Sequence, residues 1–247
     1  MADLGESMPA LEISQQKLRE WGEQWLGTTN PVTGKEKEAA CFDKKQSVNF
    51  AAFIDRAFAE ALAVMLGGVP IQKARSKDLL PAKPDCVETG NVKVIGGVRP
   101  QLFDVGYRPD GVRVAFDSKT LNDRKSIKKN WQNMINDLAT EAANVHTRYP
   151  YAVVSFVVVI PEPALAAKQA TDMVRTLERL GTRRDVLDQT HLAEVISMLV
   201  WDPETGRISA SVPPADSIIR IERHSERLYP HYLARYKGLP PHAKKAE

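Results

Sequence analysis

The run Ala152-Val153-Val154-Ser155-Phe156-Val157-Val158-Val159-Ile160, bounded by Pro150 and Pro161, most constrains the fold of this chain. It lacks the alternation of a strand that faces water on one side, so it reads as a strand buried on both faces. A sheet containing such a strand must be covered by helices on both sides. The expected class is therefore α/β, a mixed β-sheet flanked by helices on both faces.

Turn and capping signals divide the rest. Leu11 to Leu26 carries Leu11, Ile13, Leu18, Trp21, Trp25 and Leu26 at helical spacing and ends at Gly27-Thr28-Thr29-Asn30-Pro31. A polar linker, Thr33 to Gln46, precedes a helix from Ser47 to Leu66 with an apolar stripe of Phe50, Phe53, Ile54, Ala57, Phe58, Ala61, Leu62 and Met65. Residues 67–100, rich in Gly and Pro, offer short strands at Val69 to Gln72 and Val92 to Ile95. Downstream, the pattern predicts helices over Ser126 to His146, Ala164 to Leu180 and about Ser217 to Tyr236. It also predicts a second hairpin, Ile196 to Trp201 returning as Arg207 to Val212.

Chemistry concentrates between Leu102 and Thr120, LFDVGYRPDGVRVAFDSKT. Arg108-Pro109-Asp110-Gly111 is a turn signal that folds two strands, around 101–107 and 112–118, back on each other. With a two-residue connection, Asp104 faces Ala115, and Asp104, Asp117 and Lys119 share one face. With a three-residue loop and a bulge at Gly111, the parity shifts and Asp104 points away. Converging carboxylates repel unless a divalent cation lies between them, and a neighbouring ammonium can neutralise a phosphate and orient or help deprotonate a water. This is the equipment of a metal-dependent nuclease. Of the three Asp-x-Lys triplets, Asp43-Lys44-Lys45, Asp117-Ser118-Lys119 and Asp123-Arg124-Lys125, only the second ends an alternating strand with another acid upstream.

On these residues the chain resembles the PD-(D/E)XK nuclease superfamily over roughly residues 47–160, in the order helix, acidic hairpin, helix, strand. The resemblance implies a restriction-endonuclease-like core, with Asp104 and Asp117 as Mg2+-binding acids, Lys119 as the catalytic lysine and the Ser118 carbonyl completing the metal shell. Asp110, in Pro109-Asp110, competes with Asp104 only if the turn lies elsewhere. In the family a further acid often comes from the preceding helix; Glu60, flanking the apolar stripe, is the candidate and Asp55 the alternative. The activity implied is Mg2+-dependent cleavage of double-stranded DNA by a Type II restriction enzyme, which would act as a homodimer on a palindromic target. A repair, recombination or phage nuclease of the same fold, or a non-catalytic DNA-binding protein, are the alternatives.

At 247 residues the chain is read as one nuclease domain: an N-terminal helix and linker over 1–46, a catalytic core over 47–160, and a C-terminal part over 161–247. A net charge of +3 permits DNA binding without demanding it, so distribution matters more. Lys125, Lys128, Lys129 and Asn130 follow the acidic strand, Gln132 and Asn133 could read adenine, and Arg183-Arg184 form a second basic group. Cys41 and Cys86 offer neither a disulfide framework nor zinc spacing, the first residues show no secretory signal, and the longest apolar run is too short to span a bilayer. A cytoplasmic protein without a membrane segment is expected.

Overall fold

The structure, a computed structural model, describes residues 4–75, 78–81, 83–125 and 127–242. The predicted helix start at Ser126 lies outside them. Helix α1 spans Gln15–Leu26, and the Ser14 hydroxyl caps it by accepting from the Lys17 N–H. Helix α2, Lys44–Met65, starts three residues before the predicted point because Asp43 and Gln46 form a reciprocal capping box, satisfying two N–H groups that a helix start leaves open. The end of the expected linker is thus helical.

Among the described residues, six strands form one mixed sheet in chain order: β1 Ile71–Lys73, β2 Val87–Ile95, β3 Pro100–Tyr107, β4 Val114–Thr120, β5 Val153–Pro161 and β6 Val195–Trp201. Strands β2, β3 and β4 are antiparallel neighbours, whereas β4, β5 and β6 run parallel. Parallel neighbours require crossovers, supplied by α3, Ile127–Arg148, and α4, Ala167–Leu180. Every residue of β5 is buried, as its unbroken apolar run requires. Phe58 of α2 stacks on Phe116 of β4, and His224, which opens α5, His224–Tyr236, packs edge-on against both rings. Side chains alternate along β4, so α2 and α5 cover the Phe116 face while α3 lies on the opposite one. The α/β class and the two covered faces are as the sequence predicts. No described helix is long and apolar enough to cross a membrane.

The second hairpin is cut down to its turn and one antiparallel bridge. Strand β6 runs parallel to β5, and Arg207–Val212 meets it only through a bridge between Trp201 and Ile208. The Ser209 N–H closes that bridge on the Val200 carbonyl; beyond it Pro213 and Pro214 can donate nothing to a ladder, and further along the β6 edge the Met198 N–H donates to the Ile219 carbonyl.

One carboxylate fastens the start of β5 and β6 to both helical layers. Glu194 accepts from Arg183 (2.6 Å), Arg235 of α5 (2.8 Å) and the Val154 N–H (2.8 Å), and lies 3.2 Å from His146 of α3. Arg183 is fully buried in this cluster, so it is not the DNA-binding residue the sequence suggests. Burial alone would raise the Glu194 carboxyl, but His146, Arg235 and the Val154 N–H outweigh it and hold it down at about 2. Removing one partner leaves buried charge uncompensated, so Glu194→Ala should cost about 3–5 kcal/mol by denaturant unfolding. Because the folded value is depressed, the Glu194 contribution is present above the unfolded carboxylate value of about 4.3 and is lost as pH falls toward 2. The gap between native and variant stability should close over that window.

Candidate active site

The strands of the central hairpin part company at the acids. β3 and β4 pair only from Val105↔Phe116 to Tyr107↔Val114; residues 100–103 of β3 stay paired with β2 alone and residues 117–120 of β4 with β5 alone. Extending the register by one brings Asp104 level with Asp117. This is two residues away from the pairing with Ala115 that a two-residue turn would give, but the parity is the same, so the acids still meet. The turn is longer because its arginines are drawn elsewhere. Arg108 forms a bidentate pair with buried Glu88, at 2.7 and 3.0 Å, and donates to the Leu79 and Lys93 carbonyls. Arg113 reaches back to Asp110, which is thereby committed to the loop and does not compete with Asp104.

In the fork, the Asp104 carboxylate replaces the missing strand partner and accepts from the Ser118 N–H at 3.2 Å. A residue's N–H and C=O point the same way in an extended strand, so the Ser118 carbonyl also faces the fork. The Asp104 and Asp117 carboxyls come within hydrogen-bonding reach of each other, a contact that needs a proton on one of them and favours it on Asp104. Lys119 bonds to Asp117 and, at 2.8 Å, to Glu141 of α3. Asp55 of α2 approaches from the other face, close enough to Asp104 and Ser118 to feel both.

Of the two candidate acids on α2, Asp55 is the one that approaches the fork, and Glu60 is not. Glu60 is about half exposed and paired with Arg56 at 2.7 Å, whereas Asp55 is only 8% exposed. Asp55 shares its helix face with Ala59 and Leu62, four and seven residues on, and both are fully buried. The covered arc of α2 is wider than the stripe of large apolar residues because the helix spans β2, β3 and β4. Glu141 was not singled out from sequence. Nothing in Ala139-Thr140-Glu141-Ala142 marks it, and only the return of α3 across the sheet brings it to Lys119.

Four carboxyl groups thus surround one ammonium. Burial raises both Asp55 and Asp104 well above the usual carboxylate range, with Asp104 adding to the shift of Asp55 and Asp117 to that of Asp104. Burial pushes Asp117 up to about 6, although Asp104 and Lys119 pull it down. Burial opposes the charge on Lys119, but Asp117 and Glu141 outweigh it and hold the ammonium above its ordinary value. Glu141 Oε2 is buried without a hydrogen-bond partner, and the Ser118 hydroxyl is close enough to Asp55 to steady its charged form. No group of three or more His, Cys, Asp or Glu side chains among the described residues is placed to hold a metal ion. A hard divalent cation such as Mg2+ needs less, since it takes one or two carboxylates and keeps several waters. Asp104, Asp117 and the Ser118 carbonyl fit that requirement, and the excess of buried acid favours a cation.

The expected basic surface is divided. Lys128, Lys129 and Asn130 are exposed in the first turn of α3, with Gln132 and Asn133 exposed in the next, while Lys125 is exposed but paired with Glu38. Arg184 is exposed beside the Glu194 cluster, toward the other end of β5 from Lys119. The chain matches no family model, no curated protein and no solved structure. What this site can do rests on its own residues.

Carboxyls whose folded values are raised favour folding when protonated and oppose it as pH rises. Asp104→Asn should therefore stabilise the metal-free protein, by about 1 kcal/mol or more at pH 8 in thermal or denaturant unfolding. The gain should vanish near pH 3, where the acid is protonated in both folded and unfolded chains.

Proposed function

We propose that the protein is a Mg2+-dependent endonuclease of the PD-(D/E)XK type that hydrolyses phosphodiester bonds in double-stranded DNA. The meeting of Asp104, Asp117 and Lys119 in the β3–β4 fork carries this reading. The order of α2, β3, β4, α3 and β5 supports it as well.

Asp104, Asp117 and the Ser118 carbonyl would hold the metal, which when bound polarises a phosphoryl oxygen and acidifies a water. The protein's own groups do the positioning. An ammonium has three donors, and Lys119 spends two on Asp117 and Glu141, leaving the third for a phosphate oxygen or the attacking water. Its flanking carboxylates keep it charged, which suits electrostatic stabilisation better than proton abstraction. Asp55 stands behind Asp104 with its carboxyl held toward the protonated form, and a cation bound at the fork would favour its ionisation. A restriction role, with two copies placing one site on each strand of a symmetric target, is the specific form we propose.

Incubating supercoiled plasmid with the protein and Mg2+, then sequencing the ends, tests this. Discrete fragments with a common end sequence support restriction, heterogeneous ends shift the role to a repair or phage nuclease, and no metal-dependent cleavage sinks the reading. Lys119→Ala should lower the cleavage rate on the order of 100-fold or more while most duplex affinity survives, as gel shift would measure.

A further inference from the structure

Beside the fork lies a groove of about 660 Å3 lined by Lys93, Arg99, Pro100, Gln101, Leu102 and Glu141. We propose that it seats the sugar–phosphate backbone of the DNA strand that enters the fork, an assignment that rests on the nuclease reading above.

The groove ends at the site, because Glu141 both lines it and holds Lys119. Its two cations are unspent: neither Lys93 nor Arg99 has a side-chain ion pair or hydrogen bond among the described residues. That separates them from Arg108, Arg113, Arg183 and Arg235, whose guanidinium groups are all engaged internally. A polyanion approaching four carboxyl groups needs positive charge along its path, and these two residues provide it next to the fork. Leu102, 49% exposed and opposite Lys93 in the β2–β3 register, gives an apolar wall against which a sugar can pack.

The groove is also held in shape before any ligand arrives. Asn144 of α3 grips the hairpin tip, its Oδ1 accepting from the Val98 and Arg99 N–H groups at 2.9 and 3.1 Å and its Nδ2 donating to the Arg99 carbonyl at 2.9 Å. A Cβ on Gly96 would stand 2.3 Å from the Asn144 amide, so glycine is what lets the two approach. The strand that carries Arg99 and Leu102 is thus fixed to the helix that carries Glu141, which limits the ordering cost on binding.

Fluorescence anisotropy of a labelled duplex, with Ca2+ replacing Mg2+ to suppress cleavage, tests the assignment on the full chain. The double variant Lys93→Ala/Arg99→Ala should bind about tenfold or more weakly near 0.1 M salt. Its log–log salt slope should flatten by up to about 1.8, or about 0.9 per lost phosphate contact. Lys93→Glu/Arg99→Glu should bind more weakly still, and circular dichroism should report an unchanged fold for both. A wild type that cleaves plasmid alongside an alanine variant with unaltered affinity and slope overturns the groove alone. A wild type that neither binds nor cleaves duplex overturns the groove and the nuclease reading together.

Discussion

Where β3 and β4 separate beyond Val105 and Phe116, the sheet breaks its own hydrogen-bond ladder, and the candidate site depends on that break. Buried backbone groups must find partners, and the Asp104 carboxylate supplies one to the Ser118 N–H. A closed ladder would leave no gap through which Asp55 from one face and Lys119 with Glu141 from the other could act on the same space. The separation is held from outside: β2 keeps the far half of β3, β5 keeps the far half of β4, and Asn144 ties the hairpin tip to α3.

Buried charge is treated in two ways in this molecule. Around Glu194, and again between Arg108 and Glu88, each carboxylate meets arginine in close geometry and the charges offset one another. In the fork, carboxyls outnumber cations, and Glu141 Oε2 is buried without a partner. Such an arrangement opposes folding at neutral pH and persists only because the surrounding sheet and helices over-determine it. Strain of this kind collects at functional sites.

The same distinction sorts the basic residues. Arg183 looks like half of a surface pair in sequence but serves as a buried counterion, and Lys125 is matched by Glu38. Lys93 and Arg99, unremarkable in sequence, line the groove beside the fork without a side-chain partner among the described residues. Sign and number of charges are poor guides to a nucleic-acid surface until the internal pairs have been removed from the count.

Local periodicity and turn chemistry made much of the architecture legible. The unbroken apolar run of β5 required a sheet covered on both faces, and alternation marked Asp117 and Lys119 as sharing one face of β4. The same-face relation of Asp104 to Asp117 was legible only as one of two parities, because arginines bound elsewhere set the true loop length. The choice of Asp55 over Glu60 was not legible, since small buried residues such as Ala59 leave little trace in an apolar stripe, and Arg207–Val212 read as a strand that β6 does not accept. The sequence alone determined the central helices, the buried strand β5 and which acid–lysine triplet sits on a strand, because these follow from interactions a few residues apart. Tertiary structure decided the helix acid, the partner Glu141 and the free cations, because each depends on which surfaces the sheet brings together across tens of residues of chain.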